Sequence, residues 1–518
     1  MSNEKARKAQ TVKSAAELDL LRNSEIRNGV FIRYYGKATE VTIPDTVQTI
    51  AESAFAGNPR LTSVTLGKHV SAIQPAAFKD CTQLRSITLP TSLRIIGAEA
   101  FRGCTSLLNF ILPRAVTLIG QSAFRECRSL TRVILTVGLE ELGAFAFCDC
   151  EALETITLAD TLTAIHRGTF WGCRSIKAIE IPETVTRIGR YAFGKCVSLE
   201  AICLPEKTSY LGTGAFSECR SLKSIRIPDG VRFLADSLFS CCELLESVEI
   251  GDSVTYIGTN TFCACKRLAE IRLPDSLSRI SSSAFLGCSA LTEIVIPTGI
   301  EEIGKRAFAF CTSLERMELL AEIPAIEEEC FLCCLALKSV YLPDSVTRIG
   351  SRAFMRCLEL QSVRLPSALK SIGEYAFAEC EALTEMSLPS ALEHLDNHAF
   401  WDCTALETAI LPNKRLSVGY AVYAGCESLK TLVVPDSVRL FRYRLDRWQI
   451  PTQTRIVLHK ELELSMLFAE MAGPETKADR REELERQIRI ELVKLGHHRK
   501  TSKQKKVRTK PTATAKKK

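Results

Sequence analysis

Cysteine is the residue type whose number and spacing in this chain first suggest chemistry. The 518 residues include 22 cysteines, and Cys330, Cys333 and Cys334 form a C-x-x-C-C run. Two cysteines at this spacing bind zinc when a second pair of Cys or His residues completes a tetrahedral site. No second pair follows at zinc spacing. We therefore expect no metal centre and no cofactor here.

One further local cluster of metal-ligand types is made of His394, Asp396, His398 and Asp402. These side chains could hold a metal ion, but a solvated surface segment before Phe400 explains them without one. No Ser, His and acid arrangement can be assigned from the sequence, and the glycines follow a repeat rather than a phosphate-binding loop. We therefore predict no catalytic residues and no enzyme.

Sixteen of the cysteines share one slot of a repeat, which leads to the elements that must position them. From Cys81 to Cys426 they recur every 23 residues, each three residues after an aromatic residue. This aromatic ladder begins at Phe55 and runs to Tyr423 without an insertion or deletion. It takes sixteen of the 23 phenylalanines, so composition alone cannot produce it. Seventeen consecutive coils of one solenoid are predicted.

The unit from Phe354 to Phe377 indicates what one coil contains. Apolar and polar residues alternate around Val363, which predicts a short strand, and stacked copies predict a parallel sheet. Pro366 ends this strand, and thirteen copies carry Pro in the same slot. Gly373 allows a backbone geometry that a Cβ would disfavour. The three-residue spacing around Phe377 then predicts a short helical turn, so each coil should hold one strand and one such turn.

The motif Leu-x-x-Ile-x-Leu-Pro, followed by Ile-Gly-x-x-Ala-Phe-x-x-Cys, resembles the BspA-like leucine-rich repeat. The resemblance covers roughly four-fifths of the chain, and residues 27–37 look like the incomplete first coil of such arrays. The family implies a curved right-handed solenoid that binds other macromolecules, and it does not imply an enzyme. Many relatives are exported or surface-displayed adhesion proteins.

Residues 1–25 are charged throughout and do not resemble a secretory signal, which needs an apolar core followed by a small-residue cleavage site. The longest apolar runs are far shorter than the roughly 18 residues that span a membrane. We therefore expect a cytoplasmic protein without a transmembrane segment, and a location outside the cell or at its surface is the alternative.

The cysteine ladder is expected to be structural, because Cys packs as a small buried hydrophobe beside the aromatic residue. Coils about 5 Å apart would also permit disulfides by distance, so bridges in an oxidising setting are an alternative to reduced thiols. The cysteines outside the ladder are expected to be more exposed. They are Cys148, Cys203, Cys241, Cys263, Cys330 and Cys333.

Positions eight and ten after the ladder aromatic should point away from the core and form rows along the concave sheet. Position ten supplies the candidate binding residues Glu180, Arg226, Glu249, Arg272, Glu318, Tyr341 and Arg364. The alternating charges among Arg226, Glu249 and Arg272 could simply pair across adjacent strands. Alternatively, they form a mixed-charge groove that fits a protein surface better than a polyanion, since no basic stripe runs along it.

The same position carries apolar residues toward both ends of the array, at Ile111, Ile134, Ile410 and Val433. Exposed apolar residues in one row can anchor a partner, or they can be tolerated singly in water. Both interpretations fit the sequence.

The register stops after Phe441, and the composition then changes. We divide the chain into a charged segment (1–25), the solenoid (26–441), an end cap with a helical hairpin (442–496) and a disordered basic tail (497–518). The segment with Trp448 and Pro451 should seal the open end of the solenoid. Two apolar stripes, separated at Gly473-Pro474, predict the hairpin. The hairpin either folds back as a cap or pairs with another chain.

The tail holds ten Lys or Arg and no acid, so the net charge of +7 becomes −3 for residues 1–496. Its candidate polyanion-binding residues are Arg499, Lys500, Lys503, Lys505, Lys506, Arg508, Lys510, Lys516, Lys517 and Lys518. Such a tail attracts nucleic acid, ribosomes or anionic lipid in a salt-dependent way, or it only solubilises the chain. The lack of interleaved aromatic residues argues against sequence-specific recognition.

These observations predict an α/β solenoid of the leucine-rich-repeat type, with a curved parallel sheet of about seventeen 23-residue coils. Its predicted function is a non-catalytic scaffold that binds protein through the concave face. One alternative is a nucleic-acid or ribosome-associated protein whose basic tail dominates binding. A second alternative is a surface adhesin with an unrecognised export route.

Overall fold

The computed structural model describes residues 20, 22–414, 416–436, 446–472, 480, 483, 484, 486–488, 490 and 492. The chain divides into two units, residues 1–337 (unit 1) and 338–518 (unit 2). Each unit winds as a parallel β-solenoid, and most paired strand residues lie opposite the residue 23 positions later, as with Arg226 and Glu249.

Unit 1 begins with an antiparallel hairpin of β1 (Ser24–Arg27) and β2 (Val30–Tyr34). β2 also pairs in parallel with the first coil, and the ring of Phe31 stacks on Phe55 at a centroid distance of 4.9 Å. The segment that resembles an incomplete first coil therefore gives the first complete coil both a strand neighbour and an aromatic neighbour.

Two kinds of strand recur in unit 1, one of three or four residues and one of two residues. The long strands are β3 (Glu40–Thr42), β5 (Ser63–Thr65), β7 (Ser86–Thr88), β9 (Asn109–Ile111), β11 (Arg132–Ile134), β13 (Thr155–Thr157), β15 (Ala178–Glu180), β17 (Ala201–Cys203), β19 (Ser224–Arg226), β21 (Ser247–Glu249), β24 (Glu293–Ile296) and β26 (Arg316–Leu319). The short strands are β4 (Thr49–Ile50), β6 (Ala72–Ile73), β8 (Ile95–Ile96), β10 (Leu118–Ile119), β12 (Glu141–Leu142), β14 (Ala164–Ile165), β16 (Arg187–Ile188), β18 (Tyr210–Leu211), β20 (Phe233–Leu234), β22 (Tyr256–Ile257), β23 (Arg279–Ile280), β25 (Glu302–Ile303) and β27 (Ala325–Ile326).

Unit 2 repeats the pattern over fewer coils and ends in a helix. Its long strands are β28 (Ser339–Tyr341), β30 (Ser362–Arg364), β32 (Glu385–Ser387), β34 (Thr408–Ile410), β36 (Thr431–Val434) and β37 (Arg455–Leu458). Its short strands are β29 (Arg348–Ile349), β31 (Ser371–Ile372), β33 (His394–Leu395) and β35 (Ser417–Val418). A 3-10 turn spans Asp446–Trp448, and helix α1 spans His459–Ala472.

The core of each unit is filled by the residues that the repeat places inward. In β19, Ile225 is buried while its neighbours Ser224 and Arg226 are exposed, as the two-residue period of a strand requires. The ladder rings stack from coil to coil; Phe193 and Phe216 lie parallel with centroids 5.6 Å apart. Stacking between coils, rather than within one coil, therefore buries the aromatic surface.

The prediction of one strand and one helical turn per coil is wrong, because most coils have two strands and their ladder aromatic lies in consecutive turns. Around Phe216, the φ angles of Gly214 and Glu218 are both +59°. A right-handed helix cannot contain residues with positive φ. The N–H groups of Gly214, Phe216 and Glu218 instead donate to carbonyls of the next coil at 2.9, 3.0 and 2.7 Å. Bonds between coils thus replace the bonds of a helix.

The φ angle of Gly373 is not positive. The constraint at this residue is the close approach of the backbone of the preceding coil. A Cβ there would lie 2.7 Å from the nitrogen of Ser351 and 2.9 Å from the carbonyl carbon of Gly350. The glycine of this slot therefore lets the backbones of adjacent coils come together, a steric role rather than a torsional one.

The ladder cysteines are free thiols that link successive coils by hydrogen bonds. The thiol of Cys242 donates to the carbonyl of Phe216 at 3.2 Å, and the same bond recurs in both units. Burial raises the pKa of the Cys311 thiol to about 12, because an apolar interior disfavours the thiolate. The structural role predicted for this slot is therefore that of a neutral buried donor.

The prediction that cysteines outside the ladder are exposed is wrong for three of the six. Cys148, Cys330 and Cys333 are buried, whereas Cys203 is exposed and Cys241 and Cys263 are half-buried. Cys330 lies directly before its ladder aromatic, in a slot that most coils fill with a buried Ala. Cys203 is exposed because it occupies position ten of a long strand.

The last coil of unit 2 is followed by a coil that departs from the repeat. The N–H of Tyr423 donates to the carbonyl of Trp448 at 3.1 Å, and β37 pairs in parallel with β36. Val433, expected to be exposed, is buried in β36, on which helix α1 packs. Residues 446–458 thus give the final repeat its missing hydrogen-bond partners.

Beyond β37, α1 packs on β36 and β37. The described residues between 480 and 492 are helical; Leu484 and Ile488 are buried, and Leu492 is exposed. The Nε of Arg480 lies 3.0 Å from a carboxylate oxygen of Glu470, so this segment contacts α1. Whether the hairpin pairs with another chain stays a prediction. Of the helices that the structure describes, none has the length and apolar character needed to cross a bilayer.

Candidate functional site

The long-strand row of unit 1 is interrupted at one coil. β15, β17, β19 and β21 form one sheet, and the next long strand is β24. Between them, residues 270–272 form no strand, although this stretch of the chain is described. Ile271 is half-buried there, whereas Val248 and Ile294, its equivalents in the flanking coils, are buried. The interruption opens the surface between β21 and β24.

Three adjoining depressions lie at this interruption, with volumes of about 610, 670 and 270 Å³. Val248 and Arg272 line all three, so we treat them as one surface, called the central groove. All lining residues belong to unit 1, between Ala201 and Leu320. A groove of this size accommodates several side chains of a ligand.

The central groove is acidic. Its lining contains two guanidinium groups, those of Arg226 and Arg272, against seven carboxylates. The carboxylates belong to Glu206, Asp229, Glu249, Asp252, Glu270, Asp275 and Glu293. All seven side chains are exposed to the solvent. Those of Glu206 and Glu249 pair with Arg226, and that of Glu293 pairs with Arg316 at 2.5 Å.

The two arginines of the groove differ in their partners. Arg226 forms an ion pair with Glu206 and a second one with Glu249, whose carboxylate oxygen lies 3.3 Å from the arginine Nε. The hydrogen bonds that the Arg226 guanidinium donates, first to Glu206 and then to Glu249, raise the pKa of Arg226. Arg272 has no ion pair, hydrogen bond or ring contact of its side chain among the described residues. Its guanidinium is thus available to a ligand.

Apolar side chains accompany these charges. Val295 and Leu320 are 49% and 47% exposed and line the same depression as Glu270 and Glu293. Leu320 occupies the slot in which most coils carry Pro, and the strand before it, β26, extends to four residues. The groove therefore combines carboxylates with a small apolar surface.

The candidate binding residues predicted at position ten are all exposed in the structure. Only Arg226, Glu249 and Arg272 line the central groove. Glu180 and Glu318 lie in the same row but outside this lining. Of the two suggested cross-strand pairs, the structure contains Arg226 with Glu249, whereas Arg272 is not paired with Glu249.

The remaining two candidates, Tyr341 and Arg364, lie in unit 2 and contact each other. A guanidinium nitrogen of Arg364 donates to the hydroxyl of Tyr341 at 2.8 Å, and the guanidinium lies 4.8 Å from the ring centroid. This pair forms a separate small surface. Its geometry is that of a cation–π contact on a sheet.

The prediction based on position ten includes only one carboxylate of the groove, that of Glu249. Glu270 and Glu293 occupy position eight, which also points outward, so the period of the repeat could have identified them. Asp229, Asp252 and Asp275 follow the strands in the turns, where no strand period applies. These three turn residues nevertheless recur every 23 positions in one slot of the repeat, so the repeat itself could have identified them as a row.

The metal-ligand clusters suggested by the sequence do not assemble in the described part of the chain, where no group of three His, Cys, Asp or Glu side chains could hold a metal ion. The ring of His398 instead stacks on Tyr375 at 4.6 Å, which fixes its orientation. The polyanion-binding candidates from Arg499 to Lys518 lie outside the described residues.

Several solved structures are similar to this chain. A leucine-rich repeat protein from Bacteroides ovatus is 25% identical, with a TM-score of 0.54 and coverage of 84% of this chain and 97% of that chain. A leucine rich cell surface protein from Faecalibacterium prausnitzii is 21% identical, with a TM-score of 0.35 and coverage of 83% and 98%. A leucine-rich repeat protein from Eubacterium ventriosum is 22% identical, with a TM-score of 0.29 and coverage of 70% and 85%. No curated protein matches the chain.

The family comparison agrees with the repeat found in the sequence. The profile of the BspA type leucine rich repeat region (6 copies) matches residues 24–151, 118–245, 233–359 and 324–445. These matches overlap and extend across both solenoid units. The similarity to the Bacteroides ovatus protein supports the same fold. The chain therefore belongs to the BspA type leucine-rich repeat family.

Proposed function

We propose that this protein is a non-catalytic scaffold that binds a partner protein in the central groove of unit 1. The partner presents a basic segment that also carries apolar side chains. The observation that carries the proposal is the groove lining, in which seven carboxylates face two guanidiniums beside exposed Val295 and Leu320. The scaffold fold of the family supports the same conclusion.

Each part of the groove has a role in this proposal. The carboxylates attract Lys and Arg side chains and speed association at low salt. Val295 and Leu320 contact the apolar side chains of the partner and exclude water from the contact. Arg272 binds a carbonyl or carboxylate of the partner, which fixes the direction of the segment.

The proposal is tested by selecting a displayed random-peptide library on the full chain. Selected clones are then retested on the charge-reversed groove variant Glu249→Lys/Glu270→Lys. The matched control is Glu154→Lys, which reverses an exposed carboxylate outside the groove lining. We expect clones enriched in Lys or Arg together with apolar residues, and binding about tenfold weaker or more on the groove variant alone.

Two results would contradict the proposal. In the first, no clone distinguishes the groove variant from the control variant. In the second, the groove-dependent clones carry no excess of basic residues. Thermal unfolding of each variant is the control for stability. Because all three carboxylates are exposed, we expect the charge reversals to leave the thermal midpoint unchanged.

A further inference from the structure

The short strands of unit 1 carry a second surface, on a different row of the repeat. Position seventeen after the ladder aromatic is occupied in five consecutive coils by Arg187, Tyr210, Phe233, Tyr256 and Arg279. These residues lie in β16, β18, β20, β22 and β23 and form the short-strand strip. Each is followed by a buried Ile or Leu, so the strip faces away from the core.

Two of the three aromatic residues of the strip contact each other, and one of these two contacts an arginine. The guanidinium of Arg187 lies 4.6 Å from the ring centroid of Tyr210. The rings of Tyr210 and Phe233 meet edge to face, with centroids 6.1 Å apart and planes at 76°. Phe233 is 40% exposed. Tyr210 and Tyr256 are half-buried. Neighbouring aromatic rings that are partly exposed mark interaction sites more often than single exposed residues do.

The charges around the strip are mainly positive. Arg190 and Arg232 are exposed, and their side chains have no ion pair, hydrogen bond or ring contact among the described residues. Arg279 is paired with Glu302 at 3.1 Å. The carboxylate of Asp236 is exposed and accepts a hydrogen bond from the N–H of Thr259 at 2.8 Å. Among the described residues, Arg190 and Arg232 thus have no carboxylate partner.

We infer that the short-strand strip binds an acidic protein segment whose apolar side chains pack against Phe233 and Tyr256. Carboxylates of that segment pair with Arg187, Arg190 and Arg232. Tyr, Phe and Arg are the residue types that contribute most to protein interfaces, because they combine a large apolar contact with directed hydrogen bonds. This surface is separate from the central groove and does not depend on the function proposed for it.

The geometry of the rings favours a protein segment over single-stranded nucleic acid. Bases bind such surfaces by stacking on free ring faces. Arg187 covers a face of Tyr210, and the Tyr210 and Phe233 rings meet edge to face rather than offering parallel platforms. Apolar side chains can pack between rings in this arrangement, whereas a run of stacked bases cannot.

The test uses the full chain carrying the substitutions Glu249→Lys and Glu270→Lys, so that binding in the central groove does not contribute. A displayed random-peptide library is selected on it, and the clones are titrated against chains that also carry Arg187→Glu/Arg232→Glu or Phe233→Ser. The matched control is Phe233→Tyr, which keeps the aromatic ring. We expect clones rich in Asp, Glu and apolar residues, with binding about tenfold weaker on the first two variants and unchanged on the control.

Three results would overturn the inference. The first is a set of clones that bind all strip variants equally, or that carry no acidic excess. The second is a short single-stranded DNA probe that binds more tightly than every clone and is lost on Arg187→Glu/Arg232→Glu, which would make the strip a nucleic-acid site. The third is self-association in sedimentation that disappears with Phe233→Ser, which would make a second copy of this chain the occupant.

Discussion

The central groove and the short-strand strip are made by the same coils of unit 1 but have opposite character. The groove contains seven carboxylates, and the strip contains arginines and contiguous aromatic rings. Both surfaces rest on one core, since Ile225 under the groove and Leu234 under the strip are buried in consecutive strands. In this fold, the slot within the 23-residue repeat decides which surface a residue belongs to.

In this arrangement, exposed residues of the two surfaces can be substituted independently of each other. A position-ten residue such as Arg226 and a position-seventeen residue such as Phe233 are both exposed and share no contact. Substitutions at distant exposed sites act nearly independently. One face can therefore change its charge while the other face and the core stay the same.

The largest effect on stability is expected from a substitution in the core that lies beneath both surfaces. Phe239 is fully buried, and its ring stacks between Phe216 and Phe262 at 5.7 and 5.6 Å. Phe239→Ala should lower the free energy of unfolding by about 3–5 kcal/mol, because the cavity cannot close between rigid coils. Denaturant unfolding measures this effect.

The matched control for this truncation is Phe233→Ala, which removes the same side chain from the exposed strip. We expect it to change the free energy of unfolding by about 1 kcal/mol or less. Equal losses from the two substitutions would contradict the separation between a shared core and independent surfaces.

The second prediction concerns pH and tests the core alone. Burial raises the pKa of Cys311 to about 12, whereas a thiol in the unfolded chain ionises near pH 8.5. Stability from this thiol is complete below about pH 8.5 and is lost as the pH rises toward 12, because only the unfolded state then releases the proton. The contribution amounts to about 1.4 kcal/mol for each pH unit.

Cys311→Ser should therefore reduce the slope of unfolding free energy against pH between about pH 9 and 10.5, whatever its effect at neutral pH. Cys203→Ser is the control, since that thiol is exposed to water in the folded chain. A slope that is the same for both variants would mean that the ladder thiols are not held neutral by the core.

The smallest expected effect on stability comes from reversing one charge on each surface. Glu249→Lys in the groove and Arg232→Glu beside the strip should leave the thermal midpoint unchanged, since both side chains are exposed. Their effects on binding should be opposite. The first should weaken basic peptides and the second acidic peptides, each more strongly at low salt. A shared loss of both peptide classes would show that the two surfaces are not independent.

Much of this fold follows from the sequence, because each coil of a repeat packs against coils with the same residue pattern. The pattern of one coil therefore also describes its neighbours. The aromatic and cysteine ladders determine the number of coils and their 23-residue register, and the two-residue period places Arg226, Glu249 and Arg272 on the exposed side of the long strands. The membership of the family rests on the same pattern.

Other features were decided only by the tertiary structure. The positive φ angles beside each ladder aromatic are stabilised by bonds to the next coil, so no local propensity predicts them. The gap at residues 270–272 depends on how neighbouring strands pair, and the burial of Val433 accompanies the packing of α1 on β36. A sequence period describes one coil and its neighbour, whereas the shape of a groove and the end of a solenoid depend on contacts that the period does not contain.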